Sequence, residues 1–168
     1  DFVQSINEDD ANFDIIDPYI NGVYQSDFGF NLNAGARLNL HSDYDNKVVY
    51  NVNPSYNLAL GNDANLKFLA SYGTAYITPS LFQIYSPQFG NRDLEPEDNR
   101  TVEGGLEYTA GPLRASAIYF NRQSENFIDF VTVNPDTFEF QYQNIADEFA
   151  SQGVEVEFSS TFADVVSL

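Results

Sequence analysis

From Phe30 to Leu40 the chain alternates without a break. Phe30, Leu32, Ala34, Ala36, Leu38 and Leu40 are apolar, and Asn31, Asn33, Gly35, Arg37 and Asn39 lie between them. A period of two over this length is a strand with one apolar and one polar face, because successive side chains point to opposite sides of a sheet. On a helix the same residues would be scattered around the circumference. The pattern recurs. Tyr50, Val52, Tyr56, Leu58 and Leu60 alternate with Asn51, Asn53, Ser55 and Asn57. Leu66, Phe68, Ala70, Tyr72 and Tyr76 form a looser set, and Val102, Leu106 and Tyr108 alternate with Glu103, Gly105 and Glu107. Leu113, Ala115, Ala117 and Tyr119 follow, then Val154, Val156, Phe158 and Phe162 between Glu155, Glu157, Ser159 and Thr161. A less regular strand spans about Tyr19 to Ser26.

The connections alternate in length. Asp27-Phe28-Gly29, Gly61-Asn62-Asp63-Ala64 and Ala110-Gly111-Pro112 carry the residues of tight turns. Between them lie longer polar loops: Ser42 to Asn46, about Ile77 to Asn99, and a third centred on Asn134-Pro135-Asp136. The expected fold is all-β, an antiparallel up-and-down meander of about seven strands, with the three tight turns at one rim. Short turns at one end and long loops at the other, with strands longer than most globular ones, is the plan of a transmembrane β-barrel. A soluble β-sandwich, whose apolar faces pack on each other, satisfies the alternation equally well.

Composition narrows the function. The 168 residues contain 25 Asp+Glu against 7 Lys+Arg, a formal charge of −18. A phosphate backbone needs Lys and Arg to displace its counterions, so nucleic acid is excluded as a partner. The absence of Cys removes disulfide frameworks and thiolate chemistry, and His41, the single histidine, cannot build a multi-histidine metal site. Mean hydropathy is −0.33 and no stretch reaches the roughly 18 apolar residues of a membrane helix. The first residues show no basic region followed by an apolar stretch, so the chain is expected to be a mature protein or an excised piece.

Three groups of motifs point further. The first runs from Ser71 through Tyr76-Ile77-Thr78-Pro79-Ser80-Leu81-Phe82-Gln83-Ile84-Tyr85, then Gly90-Asn91-Arg92-Asp93-Leu94-Glu95-Pro96-Glu97, then Glu103-Gly104-Gly105-Leu106-Glu107-Tyr108. The second is Asn144-Ile145 followed by Ser151-Gln152-Gly153-Val154-Glu155-Val156-Glu157. In order and spacing these resemble the barrel signature of TonB-dependent outer-membrane receptors. The third comprises Gly35-Ala36-Arg37-Leu38, His41-Ser42-Asp43-Tyr44 and Asn53-Pro54-Ser55-Tyr56, and looks most like the vitamin B12 (cobalamin) receptor branch. The resemblance extends from about residue 18 onward. Ile77 and Thr78 depart from the family's basic residue and Ala before the loop proline, and Arg92 stands where the family has Pro.

The resemblance implies that residues 1–168 are part of a receptor barrel domain, from the C-terminal half of a wall of about twenty-two strands. It implies an outer-membrane location in a Gram-negative bacterium. The function implied is TonB-dependent uptake of a large scarce nutrient such as cobalamin, with an iron-siderophore as the alternative ligand. The implied partners are the TonB complex, acting through a plug region, the outer-membrane lipid and the transported ligand. No resident cofactor and no enzymatic activity are implied. A soluble acidic binding module, carbohydrate-binding with calcium, is the rival from another class.

For the polar face the resemblance implies a water-filled lumen lined by Asn31, Asn33, Arg37, Asn39, Asn51, Asn53, Asn57, Glu103, Glu107, Glu155 and Glu157. The loop from Ile77 to Asn99 is the candidate site. It carries Phe82, Tyr85, Gln88 and Phe89 at the implied extracellular mouth, where aromatics can stack on a flat ligand or pack the loop onto the rim. Asp43-Tyr44-Asp45-Asn46 begins like a calcium loop but lacks its glycine and later glutamate, so a solvated acidic loop is expected. Glu8-Asp9-Asp10 is expected to be another. No Ser-His-Asp spacing or supported carboxylate pair offers a catalytic centre.

Overall fold

The structure is a computed structural model that describes residues 11–145, 148–162 and 166–167; Glu8-Asp9-Asp10 lies outside them. Seven long strands form one antiparallel meander: β2 (Tyr19–Gln25), β3 (Phe30–His41), β4 (Lys47–Gly61), β5 (Ala64–Ile77), β6 (Glu97–Ala110), β7 (Leu113–Glu125) and β10 (Phe149–Phe162). Two short strands extend it, β1 (Ile15–Ile16) beside β3 and β11 (Val166–Ser167) beside β10. Asp17-Pro18 separates β1 from β2, although the Pro18 carbonyl still accepts the Leu38 N–H at 3.0 Å. The third loop holds structure that its Pro-Asp centre conceals. Residues Phe127–Asn134 (β8) and Glu139–Ile145 (β9) pair as a separate hairpin, and Asn134-Pro135-Asp136 lies at its tip.

The tight turns share one rim, as the antiparallel registers require. Gly61 pairs with Ala64 and Ala110 with Leu113, while Asn57 N–H reaches the Gly29 carbonyl at 2.9 Å. Asn62 and Asp63 both adopt positive φ, 53° and 59°, the twist that joins two adjacent strands in a two-residue hairpin. Gly29 sits at φ +95°, and a Cβ there would overlap the Asn57 carbonyl oxygen. Gly111 also has positive φ, 53°, but open space around it. Gly29→Ala is therefore expected to cost about 3 kcal/mol, combining left-handed strain with the backbone overlap, and Gly111→Ala about 1 kcal/mol. Urea midpoints of the complete barrel in micelles check the pair; equal shifts would contradict the overlap argument.

Cross-strand registers carry one face through the whole sheet. Phe30 pairs with Tyr56, Tyr56 with Phe68 and Phe68 with Leu106; further along, Leu106 pairs with Ala117 and Ala117 with Val156. The polar face is equally continuous, from Asn33 through Asn53 on β3 and β4 to Lys67, Glu107 and Ser116 on β5 to β7. On β4 the apolar Val48, Tyr50, Val52, Tyr56, Leu58 and Leu60 are exposed, while Asn51, Asn53, Ser55 and Asn57 are half-buried. Pro54 stands inside this central strand. Its register with Leu32 on β3 is intact, but the pairing with β5 skips from Val52↔Tyr72 to Ser55↔Leu69. A missing N–H explains the gap, and Ser71 Oγ donates to Asn53 Oδ1 at 2.7 Å beside it.

Little of the chain is a conventional core. Among the described residues the buried hydrophobic side chains are Val49, Ile84, Leu94 and Ile128, with Pro79 fully enclosed. Four of these five belong to the connections at the long-loop rim or to the hairpin packed there.

Candidate functional site

The loop between β5 and β6 is ordered by its own sequence. Ser80-Leu81-Phe82-Gln83 is a reciprocal cap: Gln83 N–H donates to Ser80 Oγ at 3.3 Å and Ser80 N–H to Gln83 Oε1 at 2.8 Å. It opens a single-turn helix, α1 (Leu81–Tyr85), with Ile84 buried. The chain then doubles back so closely that a Cβ on Gly90 would lie 2.6 Å from the carbonyl oxygens of Ile84 and Ser86. Only glycine fits there. Asn91 fixes the return: its N–H donates to the Gln83 carbonyl at 2.8 Å, and its Oδ1 accepts from Asp93 N–H at 3.0 Å. Leu94, 2% exposed, plugs the base.

The β8–β9 hairpin docks on this loop. Tyr142 N–H donates to the Phe89 carbonyl at 3.1 Å, Asn91 Nδ2 to the Tyr142 carbonyl at 3.0 Å, and Gln141 Nε2 to the Gly90 carbonyl at 3.0 Å. Asn144 clasps Glu95 from both sides, accepting its N–H at 2.8 Å and donating to its carbonyl at 2.8 Å. It also donates to the Asn126 carbonyl at 2.7 Å. Glu97 Oε1 accepts the Ile128 N–H at 3.0 Å. The motif residues Gly90, Asn91, Glu95 and Asn144 thus form one backbone-directed clamp.

Phe82 and Phe89 are brought together through the hairpin. Phe82 meets Tyr142 edge-on with ring centres 6.2 Å apart, and Phe89 meets Phe130 at 5.2 Å and 86°. Phe130 in turn touches Tyr142 at 5.0 Å and stacks on Phe140 at 5.5 Å. Tyr85 stands apart, with the Arg92 guanidinium 5.2 Å above its ring, so the departure from Pro at Arg92 covers an aromatic face. Gln88 is exposed. Phe130, Phe140 and Tyr142 are the aromatic residues that sequence reasoning missed. The alternating Ile128, Phe130 and Thr132 before a Pro-Asp turn was the available signal.

A second cluster surrounds His41. The buried imidazole lies between the rings of Phe13 at 4.6 Å and Tyr44 at 4.9 Å, and Nδ1 accepts the Asp43 N–H at 3.1 Å. Tyr44 donates to the Leu94 carbonyl at 3.1 Å. Burial, and then the neighbouring Asp43 charge, raises the Tyr44 phenol above its ordinary pKa. An open cavity of about 420 Å³ lies beside it, lined by Asp43, Asp45, Lys47, Glu95, Asp98 and Tyr76 among others. Among the described residues, no three His, Asp or Glu side chains converge as a metal site. On the polar face Glu107 pairs with Arg114 at 2.7 Å and Glu103 with Arg122 at 3.5 Å.

Comparison with known proteins agrees with this architecture. A family model described as TonB dependent receptor-like, beta-barrel matches residues 3–167. The vitamin B12 transporter BtuB of Vibrio cholerae serotype O1 is 31% identical over 122 residues, covering 71% of this chain. The chain spans 19% of that relative's length. Among solved structures, the siderophore receptor PirA from Pseudomonas aeruginosa superposes with a TM-score of 0.75 at 24% identity, covering 92% of this chain and 30% of that one. The Serratia marcescens hemophore receptor HasR gives 0.75 at 15% identity, over 89% and 32%. The copper transporter OprC gives 0.69 at 18% identity, over 90% and 26%. At these identities the structural matches speak for the fold alone. With nearly its whole length matched by the family model, the chain belongs to the TonB-dependent receptor β-barrel family.

Proposed function

We propose that this chain is a length of the wall of a Gram-negative outer-membrane receptor that takes up a large scarce nutrient, with cobalamin the favoured ligand. The observation that carries the reading is the inverted exposure of the sheet. On the central strands apolar residues face outward while the amides of β4 and the carboxylates Glu103 and Glu107 of β6 are the more sheltered, the reverse of a soluble sheet. Strands of 12 to 15 residues, β3 to β7 and β10, are long enough to cross a bilayer when tilted. Tyr24, Phe30, Tyr56, Phe68 and Tyr108 lie on the apolar face toward the turn rim, Tyr119 at mid-strand, and Tyr50 and Tyr72 toward the loops.

The polar face then lines the lumen, where its mixed Arg and Glu can meet a plug and water. Energy comes from an inner-membrane TonB complex acting through that plug. Of the loop residues, Tyr85 and Gln88 are the two offered to a ligand, while Phe82 and Phe89 hold the hairpin in place. Cobalamin is preferred over an iron-siderophore because the B12 transporter relative is the more similar in sequence, at 31%. Binding of cyanocobalamin and of a ferric siderophore to the complete receptor separates the two ligands.

The membrane assignment has its own test. In the complete receptor in lipid, a probe at Leu32 is expected to be quenched by lipid-soluble quenchers, and one at the adjacent Asn33 to be protected. Equal quenching at both positions would count against the barrel.

A further inference from the structure

Two polar atoms on the facing strands β6 and β7 are buried without a partner. Ser124, 7% exposed, makes no hydrogen bond through Oγ among the described residues, and neither does the buried Nδ2 of Asn99. The two residues are paired across the strands, and Ser124 is paired in turn with Phe149 on β10. The next rung is Thr101, Arg122 and Ser151. Both rungs lie on the polar face, in step with Glu103 two residues along β6. Phe127, the first residue of β8, stacks on Phe149 with ring centres 5.9 Å apart. Asn99, Ser124, Arg122, Ser151 and these two rings line one open cavity of about 370 Å³.

Buried polar groups are paired almost throughout folded proteins, and an unmade bond is costly. Two unpaired groups on adjacent strands, lining one cavity, mark a site whose partner comes from outside the wall. The neighbouring charges decide its chemistry. Arg122 is already held, 3.5 Å from Glu103 and 4.8 Å over the Phe120 ring. Glu97 also lines the cavity, and its Oε1 accepts the Ile128 N–H at 3.0 Å. An anion would meet these two carboxylates and a guanidinium that is already paired. A neutral carboxamide fits instead, because its C=O accepts from Asn99 Nδ2 and its N–H donates to Ser124 Oγ. Phe127 and Phe149, 38% and 62% exposed, offer ring faces to an apolar frame beside it.

We propose that Asn99 and Ser124 bind a neutral carboxamide carried on an apolar frame that packs against Phe127 and Phe149. The assignment rests on the uptake reading above in making this group a side arm of the transported ligand. It also sorts the two candidate nutrients, since cobalamin carries carboxamides around its ring and an anionic ferric siderophore would be refused.

Cyanocobalamin binding to the complete receptor in micelles is expected to weaken about tenfold in Ser124→Ala and about tenfold in Asn99→Leu. Neither change removes a bond that Oγ or Nδ2 makes in the free wall, so urea midpoints should stay level or rise. Benzamide is the probe that does not depend on cobalamin. At concentrations on the order of millimolar it should shift the Asn99 side-chain amide resonances of the unaltered receptor, and benzoate should not. Cyanocobalamin bound equally well by both variants would overturn the proposal. So would an Asn99 amide unmoved by benzamide, or one already protected from exchange before any ligand is added, which would mean that the plug fills the site. Should cyanocobalamin not bind the unaltered receptor, the cobalamin reading falls by itself, and the benzamide shift still decides the carboxamide site.

Discussion

Placed alone in detergent-free buffer, the 168-residue chain will sediment as large assemblies rather than as a compact monomer. Two features drive this. The apolar face has nothing to cover it: on β10, Val154, Val156 and Phe158 are 65%, 76% and 68% exposed. The outermost long strands, β2 and β10, also present open edges, and every residue of β2 is exposed. An exposed, apolar edge recruits further strands. The formal charge of −18 opposes association, but much of it sits at the loop rim, on Asp43, Asp45, Asp93, Glu95, Asp129, Asp136 and Glu139, away from the apolar belt. Repulsion between rims does not bury that belt. Detergent above its micelle concentration should convert the assemblies to small particles with strand-rich circular dichroism. A compact monomer with one cooperative unfolding transition in plain buffer would instead favour the soluble sandwich, and the membrane assignment of this segment would fall.

The second large effect is expected at Asn144. Replacement by Ala removes three bonds at once, to the Glu95 N–H, the Glu95 carbonyl and the Asn126 carbonyl. Each is worth about 1 kcal/mol net, so the hairpin should lose about 3 kcal/mol of docking free energy. A change of that size raises the undocked population by roughly two orders of magnitude. Protease cleavage within residues 127–145 of the complete receptor should accelerate accordingly, while cleavage at the opposite rim stays as before. Thr132→Ala, on the same hairpin but outside the clamp, is the control. Equal cleavage rates for the two variants would show that Asn144 is not the staple.

The long strands were legible because a two-faced sheet imposes a period of two that nothing else in a chain of this length reproduces. The tight turns were legible for a related reason: Gly29, Asn62-Asp63 and Gly111 occupy backbone conformations that few other residues tolerate. The candidate loop was located by its motif, yet the motif says little about its own chemistry. Pro79, Gly90, Asn91 and Leu94 are there to fold the loop back and hold a neighbour. The β8–β9 hairpin was hidden because its strands are short and Asn134-Pro135-Asp136 reads as plain loop. Helix α1 is a single turn, too brief for a helical period, and only its capping box betrays it. The clamp through Asn144 joins residues about fifty positions apart, which no local pattern can announce.

The alternation of turn lengths also fixes an order in which the wall can be built. β4 and β5 are joined by two residues, Asn62 and Asp63, and β6 and β7 by Gly111 and Pro112. Each of these pairs forms by a nearly local search. The β5–β6 ladder must close across residues 78–96, and each doubling of a loop costs only about 0.6 kcal/mol of closure entropy. Against the two-residue turns the difference is about 2 kcal/mol, a modest equilibrium term that nonetheless delays closure. Strand pairs joined by tight turns therefore close by the shorter search. In the folded wall the reciprocal cap at Ser80 and the return at Gly90 take up the length of that loop in a fixed shape. The signature segment is thus the splice between two pairs of strands that are each joined by a two-residue turn.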